Sequence, residues 1–266
     1  MRRILSALAV GGATVALCLV APPALLAAAI LAAAGLAARE AARLAGAILE
    51  RPPSFGRPLT LVLVLLFASQ GFPWPVVREA TPALLLLAAA VLAMFLPRSR
   101  RGFAWLGAAL AIAIWIGLPA AALLALALRP GGGPAVLFLL GVVMVGEAAA
   151  LALGRLIRGP RLSPLLSPGK TWAGLISQLT AGAAVGALLG PELLAASPGP
   201  AVGALAGAVL SAVAALGDLF ASYWKRSAGA KDTGRSIPGH GGMLDLVDGA
   251  LFAAVAWPGL ARLLAL

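Results

Sequence analysis

Along most of this chain the apolar residues do not alternate with polar ones; they run on. Ala, Leu, Val and Gly fill long stretches, broken by short segments holding Pro, Arg, Ser or Gly. Continuous runs without a period of two predict helices and not the strands of a barrel. A bilayer core asks for about 20 residues per helical span. In lipid a helix satisfies every backbone N–H and C=O within its own segment. The pattern predicts nine spans, over 4–21, 23–38, 59–72, 81–96, 103–128, 134–157, 171–190, 200–224 and 248–265. The fold class expected is therefore all-α, a polytopic integral membrane protein. The third span is short, and the fifth contains Pro119 and is long enough to kink or to form two half-helices. The first run follows Met1-Arg2-Arg3. It is read as a membrane helix and not a signal peptide, because apolar runs resume after Pro22-Pro23. The expected organisation is one integral membrane unit, with N-terminal helices over 1–133 and a C-terminal region over 134–266 that carries the chemistry.

Composition agrees with this. The chain is 62% hydrophobic and 11% charged, where a soluble domain carries about 25% charged residues. The net charge of +11 would suggest nucleic acid in a soluble protein. Here no basic patch is interleaved with aromatics, so no nucleic acid is expected. The basic residues read instead as topology determinants and contacts to membrane lipids. With nine spans, seventeen of the 20 Lys and Arg residues fall on the side of the N-terminus. Only Arg78, Arg129 and Arg262 fall on the other. Positive loops stay in the cytoplasm. The expectation is an inner (cytoplasmic) membrane protein whose N-terminus and polar 217–249 window face the cytoplasm. The segment 39–57, with Arg39, Glu40 and Arg43 before Pro52-Pro53, reads equally as an interfacial helix or a solvated connector. The one cysteine, Cys18, excludes an internal disulfide.

The titratable chemistry is gathered between Gly217 and Gly249. This window holds every aspartate (Asp218, Asp232, Asp245, Asp248), two of the three lysines, the only tyrosine and the only histidine. Asp218, Ser222, Lys225 and Arg226 fall on one helical face. Asp218 lies about 10 Å along the helix axis from Lys225, inside the membrane boundary. A buried acid there is costly and marks a functional site by default. The loop that follows carries five glycines with Lys231, Arg235 and His240. Glycines admit backbone amides close to a phosphate, and cations neutralise it. The spacing is not that of a Walker A loop. Asp245 and Asp248 then stand one turn apart at the start of the ninth span, where acids commonly complement a helix dipole. With Asp218 they would instead form a carboxylate cluster suited to Mg²⁺ shared with substrate phosphates. His240 reads as a hydrogen-bond partner and not a ligand. On the same side lie Ser167-Pro168-Gly169-Lys170-Thr171-Trp172 and, within the sixth span, Glu147. Acids for a cation, cations for phosphates and a position at lipid depth suit phosphoryl or nucleotidyl transfer onto a lipid headgroup.

The run Ser222-x-x-Lys225-Arg226, Lys231-Asp232, Pro238-x-His240-Gly241-Gly242, Asp245 and Asp248 closely resembles the signature of phosphatidate cytidylyltransferases. Gly217-Asp218-Leu219-Phe220 and Ser167 to Trp172 resemble the same family, and the likeness runs from about residue 142 to the C-terminus. The resemblance implies a membrane enzyme that joins CTP and phosphatidate into CDP-diacylglycerol and pyrophosphate. It implies Mg²⁺, with or without a second cation, and a homodimer. It implies that Asp218, Asp245 and Asp248 hold metal, and that Ser222, Lys225, Arg226 and Lys231 contact phosphates. Asp232 and His240 would order the loop or the nucleotide, and Ser167, Lys170 and Thr171 would line the same site. Asp218, Lys225, Lys231 and Asp245 form the catalytic group on this reading. The chain departs from the family pattern at Leu246, Ala173, Glu147, Ala221 and Leu151, where Arg, Glu, Asp, Glu and Tyr are usual. Two other readings therefore stand beside it. One is a CTP-dependent transferase acting on a different lipid phosphate. The other is a catalytically weak paralogue that binds lipid or a partner. The retained acids and lysines favour an active enzyme.

Overall fold

The computed structural model describes residues 2–49, 56–74, 99–157, 159–237, 239 and 241–266, with 80, 83, 84, 87, 88 and 90. Among the described residues the helices with defined bounds are α1 (Arg2–Leu19), α2 (Pro23–Ile48), α3 (Gly56–Ser69), α4 (Arg100–Ile112), α5 (Leu118–Ala127), α6 (Gly132–Ile157), α7 (Trp172–Leu193), α8 (Pro200–Ser227) and α9 (Met243–Leu264). Among the described residues six helical runs are long and apolar enough to cross a membrane. The chain is an all-α polytopic membrane protein. The predicted span 81–96 lies largely outside the described residues.

Three local features differ from the sequence pattern. The helix begun at Pro23 continues to Ile48, so Arg39 to Ile48 is neither a separate interfacial helix nor a connector. Its residues are mostly Ala and Leu, good helix formers that let the helix run through Glu40. The run containing Pro119 stays continuous from Arg100 to Ala127. A π-helical turn, Ala113–Gly117, lies just ahead of the proline. The wider turn accommodates a ring that lacks an N–H and would crowd the carbonyl four residues back. Finally, Arg161–Ser163 (β1) and Ser167–Thr171 (β2) form an antiparallel hairpin.

The chain forms two compact units that interleave along the sequence. The first takes Met1–Val10, Pro22–Leu128 and Trp224–Val247. Its core is built from α2 to α5, with Leu63, Val64, Ile112, Ile116 and Leu124 fully buried. Trp224, at the end of α8, packs on Trp115 of the π turn with ring centroids 5.5 Å apart.

The second unit takes Gly11–Ala21, Arg129–Tyr223 and Asp248–Leu266. Its helices meet through small residues. Gly182 and Gly186 of α7 face Gly203 and Gly207 of α8 so closely that a Cβ on any of them would collide with the opposite backbone. Such spacing brings two membrane helices into backbone contact. Gly146 of α6 meets Gln178 and Ser211, and Gln178 donates to the Ser211 carbonyl at 3.3 Å. Phe138 packs against Trp257 and Phe220 against Phe252, each pair with tilted rings, which ties α9 to α6 and α8.

Candidate active site

The polar window resolves into two clusters, one in each unit. In the first unit, α8 ends where Gly229 takes φ +65 and the Ala230 N–H bonds back to the Lys225 carbonyl at 2.9 Å. A left-handed glycine just past the last turn is the usual way to stop a helix. The loop then closes on itself through paired bonds between Ile237 and Gly241, with Gly241 at φ +95. Its shape is set by two carboxylates.

Asp245 is the first. Its Oδ1 accepts from Lys225 Nζ at 2.8 Å, with the two side chains 9% and 12% exposed. Its Oδ2 accepts from the Thr233 N–H at 2.7 Å, the Thr233 hydroxyl at 2.9 Å and the Gly242 N–H at 2.9 Å. The bond to Gly242 is the reach-back of a helix-capping acid. Gly241 leaves the room this needs, since a Cβ there would lie 2.6 Å from Oδ2.

Glu40 on α2 is the second, and the sequence reading gave it no role. Its side chain is buried, at 5% exposure. Oε1 accepts from the Ser236 hydroxyl at 2.6 Å and the Met243 N–H at 3.0 Å. Oε2 accepts from the Leu244 N–H at 2.8 Å and the Thr233 hydroxyl at 2.9 Å. Two of these donors are free amides at the N-terminus of α9, where negative charge is favoured. A hydroxyl has one proton, so Thr233 serves the two acids in turn. Arg43, one turn on from Glu40, donates to the Thr233 carbonyl. In the sequence Glu40 stood only as the acid between Arg39 and Arg43 at the amphipathic start of the 39–57 segment.

Lys231, Asp232 and Arg235 stand exposed on this loop. Arg226 is exposed too, with Nη1 donating to the Ala230 carbonyl at 3.3 Å. His240 lies outside the described residues.

The second unit holds the other cluster. Lys170, on β2, sits 2.7 Å from Asp218 Oδ2 on α8. The separation is that of an ion pair, although Nζ is not aligned for a hydrogen bond. Glu147 on α6 lies within electrostatic reach of both Asp218 and Lys170. Its Oε1 is buried and has no hydrogen-bond partner. Asp248 is 4% exposed, with Oδ1 accepting from the Gly249 N–H at 2.7 Å. Its backbone packs on α8, where a Cβ at Gly217 would lie 2.5 Å from the Asp248 carbonyl oxygen. Ser222 is buried on α8. Thr171 caps α7, its hydroxyl accepting from the Gly174 N–H at 3.0 Å. Ser167 pairs with Ser163 at the far end of the hairpin.

Of the three aspartates expected at a metal, Asp218 and Asp248 belong to the second unit and Asp245 to the first. Among the described residues no three His, Cys, Asp or Glu side chains are set to enclose a metal ion. Asp245 is a poor fit as a ligand, because both oxygens already serve protein donors. Asp218 with Glu147 fits better. They are two acids sharing one ammonium, and one oxygen is buried without a donor. Mg²⁺ takes one or two protein carboxylates and completes its octahedron with phosphates and water.

This arrangement defines a class: a membrane protein that presents a stiffened basic loop and a half-buried acid–ammonium cluster, parts suited to phosphate-ester chemistry. Comparison with known proteins names the class more closely. Residues 1–263 match the cytidylyltransferase family, and the chain belongs to that family. Phosphatidate cytidylyltransferase of Brucella suis biovar 1 (strain 1330) is 48% identical over 126 residues, covering 47% of this chain and 46% of that protein. Phosphatidate cytidylyltransferase of Mycobacterium leprae (strain TN) is 37% identical over 147 residues, covering 55% of this chain and 46% of that protein. The Mycobacterium bovis protein of the same name is 34% identical over 145 residues, covering 54% and 47%. The chain thus spans about half the length of the curated relatives it matches.

Proposed function

We infer that this chain transfers CMP from CTP to phosphatidate, giving CDP-diacylglycerol and pyrophosphate. The observation that carries the reading is the clasp of Lys225 and Thr233 on Asp245, which fixes a glycine-rich loop with Lys231 and Arg235 on its exposed side. A phosphate-binding loop needs cations at set positions, and the clasp supplies that order. The names of the relatives supply the substrate class.

In the reaction a phosphate oxygen of the lipid attacks the α-phosphorus of CTP. A new P–O bond forms, the α–β bridging bond breaks, and pyrophosphate leaves with its electron pair. No proton need be removed from an ionised nucleophile, so the work lies in holding two polyanions together. Lys231, Arg235 and Arg226 neutralise phosphate charge, while Lys225 keeps Asp245 and the loop in register. Within the second unit, Asp218 and Glu147 would hold Mg²⁺. The ion, when bound, draws charge from the phosphates as a Lewis acid. The excess of basic residues on the side of this loop supports a site at the cytoplasmic face of the cytoplasmic membrane.

The test offers purified protein labelled CTP, Mg²⁺ and phosphatidate, with competing lipid phosphates. Label in CDP-lipid formed from phosphatidate is the expected result. Transfer to another acceptor selects the broader reading of a CTP-dependent transferase. No transfer to any acceptor by folded protein overturns both.

A further inference from the structure

We propose that Glu40 is a positioning residue for the reaction, holding the phosphate loop from a helix at the other end of the chain. The proposal rests on the reading that this loop receives the phosphates of CTP. A buried carboxylate is costly unless hydrogen-bonded. Glu40 meets that cost with two hydroxyls, Thr233 and Ser236, and two amides, Met243 and Leu244. These donors bracket the loop: the hydroxyls lie on it and the amides open α9. One side chain thus sets both the place where the loop returns to helix and the direction its cations face. Two glycines make room for it. A Cβ at Gly234 would lie 2.6 Å from Oε1, and one at Gly242 would collide with Oε2. Lys231 and Arg235 are exposed while Thr233, between them, is buried against the two acids. The loop is held by its inner side chain, and its cations are left to a ligand.

Glu40→Gln keeps the shape and one acceptor oxygen, and turns an amide N–H₂ toward donors. We expect the KM for CTP to rise about tenfold, with the KM for phosphatidate unchanged and kcat within about twofold. Amide exchange at Met243 and Leu244 should quicken about tenfold, with the amides of α6 and α7 unchanged. An unchanged KM for CTP overturns the proposal. So does a uniform loss, with both KM values and exchange throughout the protein altered, because that is a purely structural role. Should Glu40→Gln fail to fold, Ser236→Ala removes a single exposed donor. It should raise the KM for CTP about threefold, and no shift there overturns the proposal. If the wild-type protein makes no CDP-lipid, the functional reading fails. Exchange at Met243 and Leu244 then still decides the role of Glu40, and protection equal to wild type in Glu40→Gln overturns it.

Discussion

The two clusters use their acids in opposite ways. In the first unit Glu40 and Asp245 each have four donors within reach, hydroxyls, amides or an ammonium, with the Thr233 hydroxyl shared between them. In the second unit Glu147 has a buried oxygen with no donor, and Asp218 faces a single lysine. Withdrawing a carboxylate oxygen from water is unfavourable in both places. A carboxylate supplied with donors by the protein fixes backbone. One left short keeps capacity for a cation that arrives with substrate. The acids of the first cluster therefore read as architecture, and those of the second as ligand-binding capacity.

This contrast can be broken most directly at Asp245. Asp245→Asn loses the charge that holds Lys225 and forces an amide among four donors, and we expect turnover to fall by about a thousandfold. The protein should remain inserted and folded in detergent, as judged by size-exclusion chromatography. Wild-type turnover would remove Asp245 from the site. Next comes Glu147→Gln, which should separate stability from activity. Neutralising an unsatisfied buried acid should leave the melting temperature unchanged or higher, while the Mg²⁺ concentration giving half-maximal rate rises about tenfold. A lower melting temperature with an unchanged Mg²⁺ requirement would place Glu147 with the architectural acids. Gly186→Leu drives a side chain into the Gly203 backbone and should destabilise the second unit by about 1–3 kcal/mol, read by thermal unfolding. Exchange in the 233–244 segment should respond less than exchange in α7 and α8. The smallest effect is expected for Thr171→Ala, which removes the cap of α7 at about 1 kcal/mol. It should change stability more than the KM for either substrate.

Apolar runs made the helices legible, because length and continuity alone distinguish spans. The Gly217–Gly249 window was legible because aspartates and lysines are scarce elsewhere. Within it, the place of Asp245 in the first turn of α9 was readable from its spacing to Asp248. Glu40 was not readable, since its partners lie 193 to 204 residues away and no local period links them. The β1–β2 hairpin was also hidden. Ser167-Pro168-Gly169-Lys170-Thr171 has no alternation of apolar and polar residues and contains both a proline and a glycine. The π turn before Pro119 is a response of the backbone to one ring, and hydropathy does not register it.

The reach of Glu40 across the chain has a consequence for how the protein is made. Its carboxylate emerges from the ribosome long before Thr233, 193 residues later. At about 5–20 residues per second, that interval is on the order of ten to forty seconds. During it α2 carries an anion whose eventual donors have not been synthesised, and water, headgroups or an insertion factor must solvate it. A nascent chain stalled before residue 233 should therefore hold α2 closer to the membrane surface than the finished protein does.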